Sequence, residues 1–154
     1  MRQQRTLTAL LVGWLGLGAF FSSAAAPVQA ATLRLQVQLL WGTSDERSPD
    51  PTHKPVEADV RAKLKDLPLK WSHYFEVNRK DFEVPPSGSN KVPLSEKCAL
   101  EVKRLEGAKL EVALFGKGKE TLRRRQTLGR GEMLVLGGNA PNSTAWLVVL
   151  KRIE

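Results

Sequence analysis

Met133-Leu134-Val135-Leu136 runs into Gly137-Gly138-Asn139-Ala140-Pro141-Asn142-Ser143-Thr144, and that into Ala145-Trp146-Leu147-Val148-Val149-Leu150. Two apolar runs on either side of a loop rich in Gly, Pro and Asn read as a β-hairpin. The second run is apolar on both alternating faces. Trp146, Val148 and Leu150 share one, and Leu147 and Val149 share the other. A strand of that kind needs cover on both sides, so it belongs inside a sheet with a second layer above it.

The chain upstream supplies partners for that strand. Leu33, Leu35, Val37, Leu39 and Trp41 alternate with Arg34, Gln36 and Gln38, a half-buried strand of period two. Leu69, Trp71, His73, Phe75 and Val77 alternate in the same way, and Phe82 and Val84 continue an extended segment up to Pro85-Pro86. Segments at 91–94, 98–105, 110–115 and 120–128 are separated by Ser95-Glu96-Lys97, Glu106-Gly107 and Gly116-Lys117-Gly118. Turns every eight to twelve residues describe an antiparallel meander or sandwich. Between the first two strands, residues 42–54 read as a loop. Pro55–Leu67 then reads as a helix, with Pro55 at the first helical position, Glu57 and Asp59 at its positive end, and Val56, Val60, Leu64 and Leu67 on one side. The expected fold is mostly β (α+β), an antiparallel sheet or small β-sandwich of about seven to eight strands with one covering helix.

Residues 1–30 are set apart. Arg2 and Arg5 precede the apolar run Leu7–Phe21, and Val28-Gln29-Ala30 fits a small-x-small cleavage site. This is the pattern of a secretory signal peptide cut after Ala30, leaving a single domain over 31–154. The apolar run is short for a membrane span of roughly 20 residues, and no later segment is long and apolar enough to be one. Two of the 24 basic residues and none of the 16 acidic ones lie in the leader, so the remainder carries 22 against 16, a net +6. Such a surface favours anionic partners. The lone Cys98 alternates with Leu100 and Val102, which places an unpaired thiol on an apolar strand face.

A leader, a short helix, the aromatic strand Trp71–Phe75, hairpins, and Leu136-Gly137-Gly138 before a terminal apolar strand resemble, in that order, small exported β-rich domains of bacteria. The resemblance implies the compartment and the fold class, and no mechanism.

The chemistry-bearing residues are few. His53 falls in a loop, and His73 faces the same way as Trp71 and Phe75. No G-x-S-x-G elbow, zinc spacing or phosphate-binding glycine loop occurs, so no metal or cofactor is expected. The acids Asp45, Glu46 and Asp50 do not match a calcium loop. Arg123-Arg124-Arg125, with Lys117, Lys119 and Arg130, forms the one marked basic cluster. On a strand, Arg123 and Arg125 share a face, while Arg124 points with Leu122 and Leu128. This cluster reads either as a charged edge strand that resists aggregation or as a contact for a polyanion. Nucleic acid is an unexpected partner for an exported chain. Asn142-Ser143-Thr144 fits a glycosylation sequon, relevant only in a eukaryotic secretory route. The expectation is an exported, non-enzymatic binding or structural domain of the bacterial envelope or periplasm. Its partner would be a protein or an anionic envelope component, bound at Lys117, Lys119, Arg123, Arg125 and Arg130. One alternative is a small hydrolase using His73, with Cys98 as a possible second member. Another is an envelope-assembly subunit that pairs through a sheet edge. Oligomeric state is left open.

Overall fold

A computed structural model describes residues 31–140 and 143–154. The signal-peptide reading of 1–30 and the sequon residue Asn142 lie outside the described residues. The terminal hairpin is β8 (Met133–Ala140) and β9 (Thr144–Arg152), in antiparallel register from Met133–Lys151 to Ala140–Thr144. The strands extend further into the expected loop than the glycines suggest. Gly137 lies in β8 because only a bare Cα fits there: a Cβ would sit 2.8 Å from the Trp146 carbonyl oxygen and 2.3 Å from Leu147 Cδ2.

On its other side β9 pairs with β1 (Leu33–Thr43), and β1 with β3 (His73–Val84). A two-residue strand, β2 (Lys54–Pro55), adds to the start of β3. The first sheet therefore runs β2-β3-β1-β9-β8. The second is a plain meander of β4 (Ser89–Ser95), β5 (Cys98–Arg104), β6 (Lys109–Gly116) and β7 (Lys119–Thr127), in that order. The described residues thus form two antiparallel sheets of nine strands with one short helix, the mostly β sandwich that the turn spacing predicts.

The two faces of β9 explain its composition. Val148 and Leu150 join Leu33, Leu35, Val37 and Leu39 of β1 against Leu100, Val102, Leu110 and Val112 of the second sheet. Ala145, Leu147 and Val149 lie on the opposite face with Leu40, under Val56, Val60 and Leu64 of the helical segment. Each such aliphatic side chain contributes about 1.5–3 kcal/mol by leaving water.

The helix, α1 (Ala58–Lys65), is shorter than the expected Pro55–Leu67. Pro55 is paired opposite Phe75 in β2, at a sheet edge where a missing N–H costs nothing. Glu57 is the N-cap, with extended backbone and no capping side-chain bond. Its carboxylate accepts instead from Arg79 of β3 at 2.6 Å, so tertiary contacts set the start of the helix.

β3 also departs from simple alternation. Leu39 faces Asn78, but Leu40 faces Glu76, so Val77 is an extra residue, a bulge in one long strand. Trp71 lies outside the strand, which starts at His73. Its ring and that of Tyr74 both lie over Gly42, where a Cβ would be 3.2 Å from Tyr74 and 3.5 Å from Trp71. Trp71 Nε1 donates to the Ser143 carbonyl at 2.7 Å, and the Tyr74 hydroxyl donates to the Trp71 carbonyl at 3.1 Å. Tyr74 is thus a half-buried prop beneath the helix, and burial raises its phenol above the ordinary value.

Candidate functional site: the open margin of the sandwich

The two lateral margins of the sandwich differ. At one, β3 and β4 lie side by side. Asn78 Nδ2 donates to the Leu94 carbonyl at 2.8 Å, and Asn90 Nδ2 donates to the Glu83 carbonyl at 3.0 Å. These amides stitch one sheet to the other. At the other margin the sheets end in β8 and β7, each hydrogen-bonded to one neighbouring strand among the described residues.

The polar groups that β8 turns outward follow from its register. At its start, Gly131 N–H donates to the Arg152 carbonyl at 2.8 Å, and Arg152 N–H donates to the Glu132 carbonyl at 3.1 Å. Gly131 holds φ at +77°, the left-handed conformation of a glycine bulge. From that bonded pair an antiparallel ladder alternates. Residues 134, 136 and 138 therefore bond to β9, opposite Leu150, Val148 and Trp146. The N–H and C=O groups of Met133, Val135, Gly137 and Asn139 point away from the sheet. β8 carries no charged residue and no proline. Leu134 and Leu136 are buried in the inter-sheet core, and Met133 and Val135 pack on the helix side.

β7 is the reverse. Its side chains are exposed except for half-buried Gln126, and they include Lys119, Glu120, Arg123, Arg124 and Arg125. Arg123 bonds Glu111 and Glu120, each at 2.6 Å, and Arg125 bonds Glu111 at 2.7 Å. Glu111 lies on β6, opposite Arg125. Hydrogen bonds from Arg125, then Arg123, hold its carboxyl below the ordinary value of 4.5.

The five basic residues singled out in the sequence do not form one patch. Lys117 and Lys119 lie at the β6–β7 hairpin tip, a two-residue turn with Lys117 at φ 51° and Gly118 at φ 77°. Lys117 N–H bonds the Lys97 carbonyl at 2.8 Å, which brings the β4–β5 tip alongside. Arg123 and Arg125 occupy the middle of β7 on the outer face of the second sheet, neutralised by the two glutamates. Arg130 sits in the turn beyond the far end of β7. Arg124 projects to the opposite face, across from Val112, and among the described residues it makes no ion pair.

His73 and Cys98 lie on different sheets, with no hydrogen bond between them. Cys98 is half-buried against the inter-sheet core, and burial raises its thiol above the ordinary value. His73 lines a cleft of about 580 Å³ between α1 and the start of β3, along with Arg61, Lys65, Trp71 and Tyr74. No nucleophile is hydrogen-bonded to its ring among the described residues. The nucleophile–base pair that does form joins Ser48 Oγ and His53 Nδ1 at 2.6 Å, with Asp50 3.6 Å from Nε2. In the sequence these residues fall in the 42–54 loop, where an i,i+5 Ser–His spacing is the one local signal of the pair. Asp50 is engaged by Thr52, and none of the described clefts is lined by these three residues.

Among the described residues, no group of three or more His, Cys, Asp or Glu is placed to hold a metal ion. No helix there is long and apolar enough to cross a membrane. No family model, curated protein or solved structure matches this chain.

Proposed function

We propose that this chain is an exported, non-enzymatic binding or structural domain of the bacterial cell envelope or periplasm, and that it engages its partner by strand pairing at β8. One observation carries this reading: an apolar, uncharged strand whose outer backbone groups have no neighbouring strand among the described residues. Such an edge templates the addition of another strand, and soluble proteins ordinarily block it with charge or proline. The leader-like residues 1–30 support export. Lys97, Lys117 and Lys119, which make no ion pair among the described residues, support an anionic envelope neighbour at the hairpin tips. A contact there weakens as salt is added.

A photoreactive side chain at Val135, in cells making the full chain, tests the proposal against the same probe at Glu101 on the outer face of the second sheet. Discrete crosslinked products from position 135 alone, on an exported and processed chain, are expected. Equal products from both positions, or a chain retained in the cytosol with its leader, would overturn it.

A further inference from the structure

The first sheet stops short of β7. On β6, Val112 is 1% exposed and Leu114 packs against the core. One strand further out, Leu122 stands opposite Leu114 and is 39% exposed. Arg124 stands opposite Val112, on the same inner face, and is exposed. β7 and β8 end their sheets at the same margin, and neighbouring strands lie about 4.8 Å apart, so a strand added at the outer edge of β8 would extend the first sheet toward these two side chains.

Resting on the edge-pairing reading above, we infer that the strand received at β8 is a heterologous segment with an aliphatic side chain and a carboxylate on its inward face, for Leu122 and Arg124 respectively. The arginines to either side show why. Arg123 and Arg125 are each satisfied by a glutamate, whereas Arg124 has no acid among the described residues. A guanidinium does not give up its proton. Covering it with an uncharged strand leaves a cation partly desolvated and unpaired, which is unfavourable. A strand bearing an acid turns that cost into a charge-assisted hydrogen bond. A second copy of this chain pairing through its own β8 brings no carboxylate, because Met133–Ala140 contains none. The edge also sets the length. Outward groups at 133, 135, 137 and 139 match a partner strand of about seven residues. Beyond Leu136 the inner face is open, since a Cβ on Gly138 would meet nothing within 4 Å.

Two synthetic peptides serve as probes: Thr-Val-Thr-Glu-Thr-Val-Thr, and its counterpart with Lys in place of Glu. Each is titrated to millimolar concentration into the processed protein at low salt, with amide exchange followed at Val135 and Gly137. The glutamate peptide is expected to protect these amides with about ten-fold higher affinity. Arg124→Gln should erase the difference and Arg124→Glu should reverse it, with circular dichroism confirming that both variants fold. Equal protection by the two peptides would overturn the acid requirement and leave edge pairing standing. Absence of protection by either peptide would overturn both.

Discussion

β7 and β8 leave the sandwich on the same side, joined by the turn at 128–132, and they meet water in opposite ways. β7 is charged along its length and contributes almost nothing to the core; its arginines are tied to Glu111 and Glu120. β8 is uncharged, and it buries Leu134 and Leu136. Both are edges, yet only one is defended. A domain selected for solubility alone gains by guarding both, because an exposed apolar edge invites pairing with any available strand. On the proposed reading, charge marks the edge that stays free, and its absence marks the edge that a partner strand would use.

The largest test of this contrast is packing. Leu136→Ala on β8 removes a side chain 3% exposed and should cost about 2–4 kcal/mol by denaturant unfolding. Leu122→Ala on β7, at 39% exposed, should cost less than about 1 kcal/mol. Equal costs would mean that β7 is a core strand and that the two edges are not different in kind. A smaller effect concerns association. Val135→Lys places on β8 the kind of guard that β7 carries, and it should lower light scattering at high concentration, at the cost of the packing Val135 makes with the helix-side cluster. If scattering is unchanged, the β8 edge is not the sticky one.

The smallest effect is in acid. Glu111 is held below its ordinary value by Arg125 and Arg123, so its carboxylate is more acidic in the folded than in the unfolded chain. Its stabilisation is present above the unfolded value of 4.5 and fades as pH falls through the lowered folded value. Glu111→Gln should flatten that acid limb in thermal melts taken from pH 6 to pH 2. An unchanged slope would show that the clamp on β7 adds nothing, and that the guard consists of exposed charge alone.

The alternation of Leu33–Trp41, the spacing of turns from Ser95 to Gly118, and the two apolar faces of residues 145–150 were enough to read a covered β-sandwich with a terminal hairpin. The basic cluster was legible only as residue types. The sequence does not show that Arg123 and Arg125 are neutralised, because their acid, Glu111, is 12 and 14 residues away on another strand. Pro55 looked like a helix start until β3 drew it into pairing and Arg79 took the carboxylate of Glu57. Trp71 looked like a strand residue, but its ring found Gly42 and the Ser143 carbonyl.

Local pattern, by itself, determined the class of fold and the strands that need burial, because side-chain periodicity and turn chemistry act over a few residues. Tertiary structure alone decided which strand ends a sheet, which charge meets a partner, and which backbone groups stay open. Those outcomes depend on strand order, and strand order is set by contacts between residues far apart in the chain.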